Sequence, residues 1–241
     1  MHVSEITIQP DRFPRTDCYP FNIRQFSHPG PIRLDKTVTF FVGENGSGKS
    51  TLLKAIARRC NIHIWDEPER TRCVVNPLED ELYRYIDVKW TGGPVPGSFF
   101  ASELFHHFAK NVDEWASITP DLLKYYGDKS LLTQSHGQYH MSYFISRYRI
   151  RGLYLLDEPE NALSPATQVK FVKILADAAV RGNVQFIIAT HSPLLMALPG
   201  AEILSFDRVP IAAVPYDETS HYRVYRDIIN NWKTCFEEII P

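Results

Sequence analysis

Apolar positions follow two patterns along the chain, short apolar runs and longer stretches in which apolar residues recur every three or four positions. The runs predict buried strands, and the longer stretches predict amphipathic helices that cover them. Predicted strands lie at 3–8, 38–42, 82–90, 152–158, 185–190 and 203–206, with an alternating, half-buried strand at 19–23. Predicted helices lie at 50–60, 99–115, 121–126, 165–181 and within 217–232. This alternation indicates an α/β fold with a mostly parallel central sheet.

The run of glycine and proline at 92–97 is the strongest loop signal inside the chain. The length of 241 residues suits one domain that carries an insertion, and we predict a single domain over 1–241. Within it we expect an N-terminal β region at about 1–42, an inserted helical subdomain at about 92–150 and a C-terminal tail at about 207–241.

Composition narrows the class of protein. Apolar residues make up 44% of the chain, enough for a full core, and 26 Lys and Arg nearly balance 28 Asp and Glu. No global basic field therefore indicates nucleic acid. Four scattered cysteines suit reduced thiols better than disulfides or a zinc ribbon. The first residues lack the pattern of an export signal, and no apolar run reaches about 18 residues, so we expect a cytoplasmic protein without direct membrane insertion.

The segment that follows the predicted strand 38–42 has the phosphate-binding pattern G-x-x-x-x-G-K-[ST]. Its glycines allow the backbone to turn successive N–H groups toward a phosphate chain. Lys49 is expected to reach the β and γ phosphates of ATP, and the Ser50 hydroxyl is expected to bind Mg²⁺. The predicted nucleotide-binding residues are Gly43, Asn45, Gly46, Ser47, Gly48, Lys49, Ser50 and Thr51.

Two further strands end in polar residues. Asp157 and Glu158 follow an apolar run, and His191 follows the run at 185–190. The carboxyl ends of parallel strands meet at one edge of a sheet, where ligands bind. We expect Asp157 to hold Mg²⁺ directly or through water, and Glu158 to polarise the water that attacks the γ phosphate. His191 is expected to donate to the γ phosphate or to orient that water. The predicted catalytic residues are Lys49, Glu158 and His191, and the predicted metal ligands are Ser50 and Asp157.

Two patterns leave alternatives open. An aromatic residue ahead of the phosphate loop, Tyr19 or Phe21, is a candidate to stack on adenine, although ordinary strand packing is the preferred interpretation. The alternating arginines at 147, 149 and 151 are compatible with nucleic acid, but a solvated strand edge is again preferred.

Five stretches occur in a fixed order, and together they resemble the ABC-type ATPases. They are Gly43 to Thr51, Ser135-His136-Gly137-Gln138, Leu153 to Pro159, Asn161-Ala162-Leu163-Ser164 and Ala189-Thr190-His191-Ser192-Pro193. Their wording looks most like the stand-alone predicted AAA-type ATPases of bacteria, which are kin to SMC and DNA-repair ATPase heads. The resemblance implies a P-loop NTPase fold with an N-terminal β subdomain and an inserted helical subdomain.

The resemblance also implies an ATP-dependent homodimer that hydrolyses ATP with Mg²⁺. Two chains would enclose two ATP molecules, with Ser135 and Gly137 of one chain facing the phosphate loop, Asp157, Glu158 and His191 of the other. An unknown protein partner or effector, in DNA maintenance, defence or stress response, is implied by resemblance alone.

Several positions depart from the transporter members of that family. His136 stands where those ATPases carry glycine, and Ser164 stands where they carry aspartate. No clear glutamine loop is present, and Glu103 is a weak substitute. The alternatives to a soluble ATPase are the ATPase subunit of a membrane transporter and a nucleotide-gated switch that recruits an effector.

Overall fold

A computed structural model describes residues 1–28, 30–65, 76–126, 130 and 136–235. The strands are β1 (Val3–Ile8), β2 (Ile32–Arg33), β3 (Val38–Val42), β4 (Ile86–Trp90), β5 (Gly97–Ala101), β6 (Gly152–Asp157), β7 (Val184–Ala189), β8 (Glu202–Ser205) and β9 (Ala212–Ala213). The α-helices are α1 (Arg24–Ser27), α2 (Lys49–Arg59), α3 (Phe105–Ile118), α4 (His136–Arg147), α5 (Pro165–Arg181), α6 (Pro193–Met196) and α7 (Ser220–Cys235). Short 3-10 turns lie at Pro10–Arg12, Glu81–Tyr85, Pro120–Tyr126, Pro159–Ala162 and Tyr216–Glu218.

The described strands form two sheets. The larger has the order β5-β6-β7-β3-β8-β9, and its neighbouring strands are parallel except for β8 and β9. The smaller has the order β2-β1-β4 and is antiparallel. The predicted α/β class with a mostly parallel central sheet is therefore confirmed. The carboxyl ends of β3, β6, β7 and β8 lie along one edge of the larger sheet.

Both faces of the larger sheet are covered, which explains why all five residues of β3 are buried. Successive side chains of a strand point to opposite faces. Phe40 packs in the cluster that contains Phe171 of α5, and Phe41 packs in the cluster that contains Leu52 of α2. The small sheet packs on the α2 side, since Ile6 of β1 belongs to the same cluster as Phe41. The sheet edge with the polar residues thus rests on a two-sided core.

The helix predicted at 99–115 is wrong at its start. Residues Gly97–Ala101 form β5, which pairs in parallel with β6, and α3 begins only at Phe105. Phe100 fits a helical spacing with Leu104 and Phe108, but Phe99 and Phe100 are also good strand residues and both are buried. Gly97 permits the close pairing, because a Cβ there would lie 2.6 Å from the Leu153 carbonyl oxygen.

The predicted strand at 19–23 is also wrong. The chain turns there instead, with the Asn22 N–H donating to the Cys18 carbonyl at 2.9 Å, and α1 follows. Phe21 is fully buried and its ring centroid lies 4.8 Å from that of Phe13. The alternation at 19–23 therefore reflects a packed aromatic turn. The strand predicted at 82–90 is shorter than expected, since a 3-10 turn precedes β4.

The arginines at 147–151 do not lie on a strand edge. Arg147 ends α4, and the residues that follow turn into β6 with Tyr148 buried among aromatic rings. The preferred interpretation of this segment as a strand edge is wrong.

Three cysteines, Cys18, Cys60 and Cys235, are free thiols, and Cys73 lies outside the described residues. No helix in the described part of the chain combines the length and apolar composition that a bilayer-spanning segment needs. The boundaries of the N-terminal region, the helical insertion and the tail stay predictions.

Candidate active site

The loop between β3 and α2 has a backbone that only glycine accommodates easily. Gly43 and Gly48 have φ of 145° and 98°, in the region that side chains disfavour. A Cβ on Gly48 would also lie 2.8 Å from Cζ of Phe26, and one on Gly43 would lie 2.8 Å from Oδ1 of Asp207. Gly43 and Gly48 of the predicted phosphate loop therefore lie where the backbone conformation and the neighbouring atoms disfavour a side chain.

Lys49 begins α2 and folds back over the loop. Its Nζ donates to the carbonyl oxygens of Gly43 at 2.7 Å and Glu44 at 3.0 Å, and the residue is only 4% exposed. Burial lowers the pKa of Lys49, and the nearby charges of Glu158 and Asp207 oppose this shift. The ammonium group is thus fixed inside the loop and surrounded by acidic groups.

Ser50 and Asp157 meet across the sheet edge. The Ser50 hydroxyl donates to Oδ1 of Asp157 at 2.7 Å, although the two residues come from the start of α2 and the end of β6. Burial raises the pKa of Asp157 to about 6, the Ser50 hydrogen bond opposes this rise, and the neighbouring Glu158 charge adds to it. A poorly solvated carboxylate beside a hydroxyl is a suitable oxygen pair for a divalent cation.

Glu158 occupies a left-handed turn directly after β6, with φ 46° and ψ 54°. Its backbone N–H donates to the Ala189 carbonyl at 2.9 Å, which ties the turn to β7. Its carboxylate accepts a hydrogen bond from Nδ2 of Asn161 at 2.8 Å and lies 3.5 Å from Nε2 of His191. The turn therefore gives Asp157 and Glu158 separate surroundings.

His191 follows β7 and lies at the same edge. Its backbone N–H donates to Oε1 of Glu160 at 2.6 Å, which fixes the loop. Burial lowers the pKa of the His191 imidazole, and the charge of Lys49 lowers it further. Burial raises the pKa of Glu160, while its bond from the His191 N–H opposes the rise. His191, Glu158, Asp157, Ser50 and Lys49 therefore form one cluster, as the sequence predicted.

Two family profiles match parts of the chain. Residues 131–197 match the family described as "AAA domain, putative AbiEii toxin, Type IV TA system", and residues 21–58 match an "AAA domain" family. The first segment contains Asp157 and His191, and the second contains the phosphate loop. No curated protein sequence matches the chain.

Solved structures with the same fold include the SMC head domain from Thermotoga maritima, with 17% identity, a TM-score of 0.50 and coverage of 89% of this chain and 99% of that one. Another is cbiO1 from Clostridium perfringens, part of the ABC transporter complex cbiONQ, with 16% identity, a TM-score of 0.53 and coverage of 99% and 100%. The chain therefore shares the fold of these two proteins, and two of its segments match AAA-domain families. The SMC head bound to the C-winged helix domain of ScpA also matches, at 11% identity, a TM-score of 0.50 and coverage of 89% and 98%.

The two residues considered for adenine stacking, Tyr19 and Phe21, have different positions. Phe21 is fully buried, so its ring is unavailable to a ligand. Tyr19 is 40% exposed, its hydroxyl lies 2.9 Å from Oγ1 of Thr51, and it lines an open cleft with Asn45 and Gly46. Tyr19 is thus beside the phosphate loop, although it does not belong to a strand.

The structure gives different information on three further positions, Ser135, Gly137 and Glu103. Ser135 lies outside the described residues. Gly137 is the second residue of α4, which begins at His136. Glu103 follows β5 and lines a groove with Ser50 and Asp157, so the weak glutamine-loop substitute does lie beside the candidate metal ligands.

Sequence analysis missed two side chains of the site. Asp207 follows β8, and its Oδ1 accepts a hydrogen bond from the Glu44 N–H at 2.8 Å. A carboxylate at the end of a predicted strand was the available signal, as for Asp157. His221 lies on α7, and its Nε2 is 2.9 Å from Nδ1 of His191. No local pattern marks His221, because its role depends on the packing of α7.

Proposed function

We propose that this chain is a Mg²⁺-dependent ATPase that works as an ATP-enclosing homodimer. The observation that carries the proposal is the 2.7 Å contact between Ser50 Oγ and Asp157 Oδ1, which joins the phosphate loop to the carboxylate strand. The buried Lys49 ammonium in the same loop supports it. A phosphate chain and a divalent cation together account for both features.

The donor set fits both ligands. Ser50 and Asp157 supply hard oxygen atoms, and a cation would offset the burial that raises the pKa of Asp157. Mg²⁺ bound there would neutralise negative charge that develops on the phosphate oxygens. The loop contributes backbone N–H groups in a conformation that would crowd and strain a Cβ at Gly43 or Gly48.

The protein's own groups divide the chemistry of hydrolysis. Lys49 binds and neutralises the terminal phosphates. Glu158 accepts the proton of a water molecule as the water oxygen bonds to the γ phosphorus, while the bond from that phosphorus to the bridging oxygen breaks and ADP leaves. His191, at 3.5 Å from the Glu158 carboxylate, orients this group and the water.

The dimer is supported by the motif order and by α4. Because α4 begins at His136, Ser135 directly precedes the N-terminus of a helix, where backbone N–H groups attract phosphate. In a two-fold dimer this end of α4 faces the ATP held by the other chain. Loss of the γ phosphate then removes a contact between subunits, and a protein effector that prefers the dimer senses the nucleotide.

The test is sedimentation velocity of Glu158→Gln with and without Mg-ATP. This variant keeps the shape of the side chain and removes the base, so we expect ATP to persist and dimers to accumulate. Lys49→Ala is the control that should not bind ATP tightly, and Ser135→Arg in the Glu158→Gln background should prevent dimers while ATP remains bound. A mass that stays monomeric with ATP bound would contradict the homodimer.

Turnover is measured on the same proteins. Glu158→Gln should reduce the rate of phosphate release by about 10²- to 10⁴-fold, the usual contribution of a general base. A variant that hydrolyses ATP at the parent rate would remove Glu158 from the mechanism.

A further inference from the structure

A second histidine lies directly behind His191. Nε2 of His221 is 2.9 Å from Nδ1 of His191, and the ring centroids are 5.0 Å apart at an interplanar angle of 63°. His221 belongs to the first turn of α7, far along the chain from the phosphate loop. Since α7 follows the predicted tail boundary, this contact joins the C-terminal part of the chain to the active site.

Hydrogen bonding restricts the protonation of this pair. Two imidazole nitrogens at this distance require one N–H donor and one acceptor. Oγ of Ser220 lies 3.4 Å from Nδ1 of His221, and a hydroxyl can donate there. His221 then carries its proton on Nε2 and donates to Nδ1 of His191. His191 in turn carries its own proton on Nε2, which faces the Glu158 carboxylate at 3.5 Å.

Burial favours two neutral rings, although the Glu158 and Glu44 carboxylates oppose the shift at His191. Burial lowers the pKa of both histidines, and the charge of Lys49 lowers both further. The carboxylates of Glu44 and Asp207 oppose the shift at His221. When both rings are neutral, one nitrogen of the contact donates and the other accepts.

The position of His221 is itself fixed. Thr219, which is 4% exposed, donates through Oγ1 to the Tyr216 carbonyl at 2.8 Å and accepts from the Tyr222 N–H at 3.3 Å. The Tyr216 hydroxyl donates to the Pro193 carbonyl at 3.0 Å, two residues beyond His191. The start of α7 is therefore tied to the loop that carries His191.

We propose that His221 is a positioning residue that holds His191 in the tautomer with its proton on Nε2, directed toward Glu158. The proposal rests on the proposed ATPase function for its kinetic consequence, but the tautomer itself does not depend on catalysis. Because His221 donates a hydrogen bond to Nδ1 of His191, the proton of the neutral His191 ring stays on Nε2. Nε2 is therefore always a hydrogen-bond donor. His191 therefore approaches an anionic phosphate with an N–H group and not with a lone pair.

The first test measures the tautomer directly. Nitrogen-15 chemical shifts of the histidine rings, recorded on labelled protein without nucleotide, distinguish the protonated nitrogen from the bare one. In the parent protein the Nε2 of His191 should be protonated. His221→Phe should produce a mixture of tautomers at His191, whereas His221→Gln, whose amide N–H replaces the donor, should restore the parent shifts. An unchanged His191 spectrum in His221→Phe would overturn the proposal.

The second test is kinetic. His221→Phe should lower kcat for ATP by about 10- to 100-fold, the range expected when a catalytic group is misoriented, while the Kd for ATP stays within about twofold. His221→Gln should recover most of kcat. Tyr222→Phe is the matched control, since it removes a hydroxyl from the same turn of α7 and keeps the ring contact with Tyr216.

The outcomes separate this proposal from the ATPase assignment. If the parent protein hydrolyses no ATP but shows the His221-dependent tautomer, the proposed function fails and the positioning role stands. If the parent is active and His221→Phe and His221→Gln lose ATP binding and kcat together, His221 is only a packing residue and the proposal is wrong.

Discussion

Asp157 opposes the folding of its own site at neutral pH. Its pKa is raised from 3.8 to about 6 by burial, so the folded chain binds its proton more tightly than the unfolded chain. Ionisation of Asp157 therefore destabilises the folded chain. The destabilisation is complete above the pKa of Asp157 in the folded chain and is absent below its pKa in the unfolded chain. The loss of stability caused by Asp157 therefore grows as the pH rises from about 4 to about 6.

Asp157→Asn should consequently stabilise the nucleotide-free protein. The amide oxygen still accepts from Ser50 while the partly buried charge is removed, and we expect Tm to rise by about 5 °C near pH 7.5 and by less toward pH 4. Scanning calorimetry at both pH values measures this. The added stabilisation by Mg-ATP should be lost in the variant. The exposed Asp177→Asn on α5 is the control, and a lower Tm for Asp157→Asn would contradict the argument.

Single residues were predictable where a contiguous pattern encodes them. The phosphate loop and Lys49 follow from residue types at fixed spacing, since glycine geometry and phosphate chemistry act within a few residues. Asp207 was equally predictable, because it follows a predicted strand as Asp157 does, and the carboxyl ends of parallel strands meet at the ligand-binding edge of the sheet. His221 was out of reach, because its contact with His191 is created by the fold and leaves no periodic signal.

Helix α7 is anchored at one end only. The hydrogen bonds of Tyr216 and Thr219 fix its start, but none of its described residues is buried. Five large apolar side chains on it are exposed by 39% to 71%, and these are Val224, Tyr225, Ile228, Ile229 and Trp232. From Val224 onward, where no side chain is buried, the helix has little beyond its own hydrogen bonds to hold it together.

Backbone amides of α7 should therefore exchange their hydrogens faster than those of the packed helices in the monomer. Amides from Val224 onward are expected to exchange at least about 100-fold faster than those of α5 around Leu175, which is fully buried. Mass spectrometry of exchanged peptides measures this, and α5 serves as the internal control. Slow exchange along the whole of α7 in a protein shown to be monomeric would contradict the prediction.

Helices and strands were predictable from the sequence where the spacing of apolar residues fits only one of the two structures. The apolar runs at β3, β6 and β7 are too short and too continuous for surface helices, and Ser164, Pro165 and Gly182 mark α5 at both ends. The segment at 97–101 fits a strand and a helix equally well. Its hydrogen bonds to β6 decide the outcome, and a pairing with a distant strand cannot be read from local spacing.

Gln185 joins the two sheets of the molecule. It is a fully buried residue of β7, and its Oε1 accepts from the backbone N–H groups of His2 and Val3, both at 2.7 Å. Its Nε2 donates to the Val3 carbonyl at 2.8 Å. One amide thus satisfies three backbone groups at the start of β1, so the small sheet is hydrogen-bonded to the large one.

Gln185→Leu should destabilise the whole chain. The substitution is close in volume but leaves buried backbone groups without partners, and we expect a loss of about 2 to 4 kcal/mol in the free energy of unfolding. Urea titration followed by fluorescence measures it, with an unchanged slope if unfolding stays cooperative. Gln9→Leu, near the protein surface, should change stability by less than about 0.5 kcal/mol. Equal effects of the two substitutions would show that Gln185 does not link the sheets.

The architecture of the whole molecule was predictable, because alternating elements impose a parallel sheet with covered faces. The link through Gln185 was not, since a glutamine within an apolar run gives no sign of the strand it contacts. The subdomain boundaries and the homodimer remain predictions, because they concern an insertion that is only partly described and a second chain.

The left-handed turn at Glu158 has a consequence for protein engineering. A glutamate at φ 46° holds a backbone shape that glycine or asparagine adopts with less strain. Its neighbour Asp157 is a partly buried charge. In a library selected for heat resistance alone, these adjacent positions should mutate early and together, and the survivors should be robust proteins that bind nucleotide poorly. Selection for turnover would have to accompany selection for stability from the first round.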